Sequence, residues 1–156
     1  MLNWFRRSEA QPDAQAPLSA ADVALIQQSF AQVAPIAETA AALFYDRLFS
    51  IAPEVKPLFK SDLKEQGRKL MAMLATVVDG LSDLGAVVPA AEELARRHVG
   101  YGVEPRHYEP VGEALIWTLK EGLGDAFTPD VRAAWLSAYA VLSGVMIKAA
   151  SAAKAA

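Results

Sequence analysis

From Leu18 onward, apolar residues recur at three- and four-residue intervals along almost the whole chain, and no segment alternates strictly between apolar and polar. That period belongs to helices with one buried face. Val23, Ile26, Phe30 and Val33 form the first such stripe. Ser19 caps it, Asp22 stands in its first turn, and Leu18 with Val23 supplies a hydrophobic staple. Pro35 breaks this helix and opens the next, which carries Ala41, Phe44, Tyr45, Leu48 and Phe49. The stretch SIAPEVKPLFKSD holds two prolines and reads as a short helical turn between corners. Asp62 with Glu65 then caps a helix whose inner stripe is Leu63, Gln66, Leu70, Met73, Leu74 and Val77.

The segment VVPAAEELARRHV starts a further helix near Pro89, which Gly100 and Gly102 end. A long helix follows around Tyr108, Val111, Leu115 and Leu119. LGDAFTPD interrupts the pattern, after which Thr128 caps and Pro129 opens a last helix bearing Val131, Trp135, Tyr139, Leu142 and Val145. The fold class is therefore all-α, with about seven helices and no internal repeat. Residues 1–17, polar and rich in alanine and proline after MLNWFRR, read as a flexible tail; 18–152 form one domain and 153–156 a short C-terminal tail.

Composition narrows the function. The 156 residues suffice for a real core, and 53% hydrophobic against 21% charged residues is ordinary for a folded domain. A net charge of -3 gives no electrostatic reason to bind nucleic acid. The absence of cysteine removes disulfides, thiolate nucleophiles and cysteine-held metal sites. No uninterrupted apolar run reaches the roughly 18 residues of a membrane span, and no secretory signal opens the chain, so a cytoplasmic protein is expected.

The two histidines lie nine residues apart, in LARRHVGYGVEPRHYEPVG. His98 stands four residues after Leu94, on the apolar stripe of a helix that ends within its next turn. His107 lies past two glycines and Pro105, where it is expected at a corner or on the surface. Two more polar residues interrupt apolar stripes, Gln66 between Leu63 and Leu70 and Tyr45 beside Leu48. By pattern alone His98 reads equally well as a hydrogen-bonded core residue, Gln66 as bonded to a carbonyl, and Tyr45 as packed with its hydroxyl at the rim. Together they also read as one basic nitrogen ligand and two hydrogen-bond donors facing an apolar cavity.

FYDRLFSIAPEVKPLF, KEQGRKLMAML, RRHVGYGV and HYEPVGEAL resemble the single-domain bacterial haemoglobins of the flavohaemoglobin lineage, within the globin family. RKLMAML and VGEALIWTLKEGLGDAFTPDVRAAW are also similar to neuroglobin. The resemblance covers residues 18–150 and implies a globin fold whose helices sandwich a haem b, iron protoporphyrin IX. It makes His98 the iron ligand and Phe59 the phenylalanine packed on the haem face. Tyr45, fourteen residues before Phe59, becomes the distal residue of the second helix, and Gln66, thirty-two before His98, the distal ligand-facing residue. Leu70 walls the same pocket and Val103 lies under the proximal haem edge. Lys69 and Arg106 are placed to reach the haem propionates.

Two departures from the family matter. The stretch from Phe59 to Gln66 is short, so a separate small helix there is expected to be missing. Tyr108 matches the flavohaemoglobin tyrosine that supports the proximal ligand, but its glutamate partner falls near Ala150. His98 should then have less imidazolate character and support less peroxidase-like chemistry. The implied function is reversible oxygen binding for storage, delivery or sensing, with the oxygen held by Tyr45 and Gln66. Because glutamine is a poor iron ligand, a bis-histidine state is not expected. Nitric oxide and carbon monoxide are the other diatomic ligands. The enzymatic alternative is oxidation of nitric oxide to nitrate with electrons from a separate reductase, since 156 residues leave no room for flavin and NADH domains. A haem-free interaction module is the third class, disfavoured by His98 and Phe59. Helix faces near AAWLSAYAVLSG suit a monomer or a homodimer equally.

Overall fold

Ser19 begins the first helix as its position suggests: in a computed structural model that describes residues 18–60 and 62–155, its hydroxyl oxygen accepts the Asp22 N–H at 3.0 Å. Helix α1 (Ala20–Val33) leads through one 3-10 turn containing Pro35 into α2 (Ala37–Ile51). A 3-10 segment, Pro53–Leu58, carries both corner prolines. Helices α3 (Leu63–Gly80), α4 (Leu84–Gly100), α5 (Tyr108–Leu123) and α6 (Pro129–Ala155) follow. The described residues thus form six α-helices and no strand. The seventh helical piece in the sequence pattern is the 3-10 segment, where proline removes the donors a longer helix requires. No helix separates Phe59 from α3 among the described residues, in line with the short spacing there. The proposed N-terminal tail lies outside the described residues.

Several local expectations need correction. Helix α4 starts at Leu84 instead of near Pro89, because the Ala86 N–H bonds the Asp83 carbonyl at 3.0 Å and opens the helix one turn earlier. Pro89 is then carried within the helix. Asp62 sits at the start of α3 but its side chain makes no capping bond; its backbone carbonyl accepts Gln66 N–H instead. Thr128 does cap α6, accepting Val131 N–H at 3.2 Å. Helix α6 runs on to Ala155, into the stretch read as a tail, and Pro129–Ala152 is by length and composition apolar enough to cross a membrane. A count of uninterrupted apolar residues misses this, since small residues dilute the stretch without charging it. Val131, Ala134, Trp135 and Ala138 nevertheless take its first half into the core.

Two buried clusters organise the packing. In one, Ile26, Phe30 and Val33 of α1 meet Leu119 of α5 and Trp135 of α6. The Trp135 indole N–H donates to Ser29 Oγ at 2.9 Å, and that hydroxyl donates to the Ile26 carbonyl at 3.0 Å, so both buried polar groups are satisfied. In the other, Phe44, Tyr45 and Leu48 of α2 pack with Val55 and with Ala114 of α5. Helix α4 lies chiefly along α6 and α2 along α5, while α3 and α4 touch only lightly. What contact they have includes Gly80 against the Val87 side chain, beside the short link joining them. Gln66 and His98 stand near the opposite ends of these two helices.

Candidate functional site

Helix α4 presents His98 from its last turn. The ring is half-buried, and its Nδ1 lies 2.8 Å from the carbonyl oxygen of Leu94, one turn back. A carbonyl only accepts, so Nδ1 carries the proton and donates, leaving the Nε2 lone pair free. Burial pushes the His98 pKa below its ordinary value, partly opposed by this backbone bond, and thereby favours the neutral imidazole. The chain turns away immediately: Val103 N–H bonds the His98 carbonyl at 3.0 Å, and Gly102 takes a φ of 90°, in the region glycine favours. Gly102 also lies against Leu58, where a Cβ would come within 3.3 Å of that side chain, so the corner after α4 closes on the corner before α3.

Helices α2 and α3 build the other wall. Gly67 lets them cross closely, since a Cβ there would stand 2.9 Å from the Ala41 Cβ and 3.8 Å from the Tyr45 ring. Leu70 packs against the cluster that holds Tyr45, and Gln66, one turn earlier on α3, is half-buried. Tyr45 is only 5% exposed and its ring packs edge-on to Phe59, with centroids 5.4 Å apart, and stacks with Phe49 at 5.9 Å. Burial raises its pKa to about 12, so the phenol keeps its proton throughout the neutral range. Its hydroxyl makes no hydrogen bond with any described residue, nor is it sealed from solvent. A phenol held in an aromatic nest with its donor unspent suits a ligand. Behind Leu70 lies an apolar cavity of about 20 Å³, bordered by Phe44, Leu74 and Leu115.

Phe59, Leu70, Leu94, Val99 and Val103 remain half-buried although they are apolar, whereas residues of the same types in the two clusters are sealed. A flat, largely apolar group would cover them. Among the described residues no three His, Asp or Glu side chains gather as a metal site, so a metal ligated by His98 needs further ligands from a cofactor. A single free imidazole nitrogen, a half-covered apolar wall and an unspent phenol fit a haem. The Tyr108 hydroxyl, sealed without a partner among the described residues, is a further polar atom awaiting one, and Ala150 is buried with no carboxylate to offer. The Tyr108 carbonyl, by contrast, accepts the Tyr139 hydroxyl at 2.5 Å.

The structure separates the remaining candidates. Lys69 is exposed on α3. Arg106 pairs with Glu104 at 3.2 Å and lines a different cleft, beside Glu54, Glu109 and Glu113. His107, expected at a corner or on the surface, is at a corner but buried, with 7% exposure. Its Nδ1 accepts the Glu104 N–H at 2.9 Å, a bond that closes the turn before α5. Sequence reasoning missed Gly67 and the Leu94 carbonyl. A glycine inside the helical pattern just after Gln66 signals the first; a backbone carbonyl leaves no signal in side-chain type.

Comparison with known proteins agrees with this geometry. The globin family model matches residues 42–146. The chain is similar to the flavohemoprotein of Vibrio cholerae, 37% identical over 107 residues, which cover 67% of this chain and 27% of that protein. It is likewise 33% identical over 113 residues to the flavohemoprotein of Bacillus subtilis, covering 70% and 28%. The flavohemoprotein of Rhodopirellula baltica is 31% identical over 133 residues, covering 83% and 33%. The chain thus spans between a quarter and a third of the length of these curated relatives. With its all-helical fold and this match over two-thirds of its length, the chain belongs to the globin family.

Proposed function

We propose that this globin holds a haem b through His98 Nε2 and binds oxygen reversibly, for storage, delivery or sensing. The observation that carries the reading is the Nδ1 bond to the Leu94 carbonyl, which spends the proton of His98 and leaves its other nitrogen as a ligand. When bound there, the haem supplies an iron with an open position for a diatomic ligand. Phe59, Val103 and Leu70, half-buried and apolar, would hold the group. The Tyr45 hydroxyl and the Gln66 amide would donate hydrogen bonds to a bound diatomic ligand. Such bonds to a charged or strongly polarised acceptor contribute about 1.5–3 kcal/mol each.

The test is the optical spectrum of the reduced protein, followed by oxygen mixing and measurement of the release rate. A five-coordinate ferrous spectrum and slow release support the reading. A six-coordinate ferrous spectrum, with an internal side chain on the iron, overturns it.

The Tyr45–Gln66 donor pair also favours a second reading, nitric oxide dioxygenation. Converting nitric oxide and oxygen to nitrate consumes one electron per turnover, which a reductase would supply. Sustained nitric oxide consumption with such a reductase, well above that of free haem, distinguishes this enzyme from a carrier.

A further inference from the structure

The corner before α3 and the first turns of that helix carry five cations, Lys56, Lys60, Lys64, Arg68 and Lys69, against two carboxylates, Asp62 and Glu65. The chain as a whole carries -3, so this stretch opposes the charge of the rest. All five residues are exposed. Lys60, Lys64, Arg68 and Lys69 make no ion pair or side-chain hydrogen bond with any described residue. Arg96 and Arg97 of α4 behave differently, since they share Glu93 at 3.4 and 3.7 Å.

An open aromatic ring adjoins this charge. Tyr101 is 59% exposed, and its ring centroid lies 6.0 Å from that of His98. The Gly102 backbone closes on the Leu58 side chain, so the corner bearing Tyr101 abuts the corner bearing Lys56 and Lys60. Leu63, between Lys60 and Lys64 in sequence, is a second open apolar residue. Lys64 and Arg68, four apart on α3, share one helix face. Exposed aromatic surface supplies anchorage at protein interfaces, and unpaired like charge around it steers an oppositely charged partner. The contact of Tyr101 with His98 gives such a surface a use, because a partner seated on Tyr101 stands one ring away from the iron-ligand candidate.

We propose that this surface docks the acidic face of a one-electron donor protein, with Tyr101 at its centre and Lys60, Lys64 and Arg68 on its rim. The proposal rests on the reading in which His98 holds a haem and a reductase supplies electrons. The donor protein is oxidised by one electron, ferric haem iron is reduced to ferrous, and no bond forms or breaks between the two proteins. The lysines and Arg68 raise the rate of encounter, and Tyr101 sets how closely the donor approaches His98. An anionic lipid surface would answer the same charges, but would make no use of the ring contact between Tyr101 and His98.

The experiment mixes the haem-loaded ferric protein with reduced flavodoxin, an acidic one-electron donor, and follows the Soret band. A parallel titration with oxidised flavodoxin follows backbone amide resonances. Saturable shifts are expected at Lys60, Lys64, Arg68 and Tyr101, and reduction should slow about tenfold or more between about 0.02 and 0.2 M salt. Lys60→Glu combined with Lys64→Glu should slow reduction about tenfold at low salt. Lys120→Glu combined with Arg132→Glu, the same charge change on α5 and α6, should slow it less than about twofold. Tyr101→Ala should slow it about tenfold and Tyr101→Phe should restore most of the rate. Reduced riboflavin, small and uncharged, should reduce all these variants at rates within about twofold of each other, which shows that their haem sites are intact.

Absence of saturable shifts, equal slowing by the two pairs of charge reversals, or indifference to Tyr101→Ala overturns the proposal. So does tighter binding to phosphatidylglycerol vesicles than to flavodoxin at the same salt. A haem-loaded protein that ignores flavodoxin overturns the proposal alone, whereas a protein without a Soret band after haem addition overturns the haem reading and the proposal with it. Docking and reduction without sustained nitric oxide consumption uphold the surface and count against the dioxygenase alone.

Discussion

His98 and His107 stand nine residues apart in sequence and on opposite sides of one distinction. Each has its Nδ1 bound to the backbone, His98 to the Leu94 carbonyl and His107 to the Glu104 N–H. The first partner accepts and the second donates, so the two rings carry opposite tautomers. His98 is left with a lone pair at Nε2, His107 with a proton. Ligand capacity is therefore decided by what lies behind each ring, one carbonyl at the end of a helix and one amide at the start of a turn. Burial alone does not make this distinction, because the more buried histidine is the one whose Nε2 carries the proton.

Exchange of each histidine tests this distinction most directly. His98→Ala should weaken haem retention by more than about a hundredfold, read as loss of the Soret band after haem is added. His107→Ala should retain haem, and equal haem loss in both variants would break the comparison. The wall opposite His98 comes next. Gly67→Ala places a methyl 2.9 Å from the Ala41 Cβ and should cost about 1–3 kcal/mol in urea unfolding, by forcing α2 and α3 apart. An unchanged midpoint would show that the crossing has slack.

Tyr45→Phe keeps the ring packing and removes only the unspent donor, so oxygen release should quicken about tenfold, equivalent to about 1.4 kcal/mol, with little change in stability. His107→Ala should lower stability by about 1 kcal/mol, the ordinary worth of a capping bond, as measured by thermal unfolding. The smallest effect concerns pH. Since burial holds the His98 pKa in the fold below the ordinary 6.5, the unfolded chain takes up a proton first as pH falls. The haem-free protein should therefore keep full stability above that value and lose it progressively below. A His98→Gln variant should show a flatter profile between pH 7 and 5.

Helix positions were legible because the apolar stripes and their caps are local: Ser19, Thr128, Pro129 and Gly102 each act within four residues of themselves. Where the outcome depended on a backbone group, sequence reasoning faltered. Pro89 suggested the start of α4, yet the Asp83 carbonyl had already opened it. Asp62 looked like a cap and acts through its carbonyl alone. For the site, the residue types of His98, Tyr45 and Gln66 drew notice as polar interruptions of apolar stripes, and the family resemblance assigned their roles. The tautomer of each histidine could not be read, because it rests on carbonyl and amide directions that side-chain identity does not encode.

The frame around the wall that carries Tyr45 is gripped at Gly67 against Ala41 and at Gly80 against Val87, both contacts of backbone with small side chains. Neither grip involves Tyr45's hydroxyl, Gln66's amide or the Leu70 side chain. The spacing of the frame and the chemistry of its lining are thus separately heritable. A lineage, or an engineer, can exchange the polar side chains of that wall one at a time while the two glycines keep its dimensions.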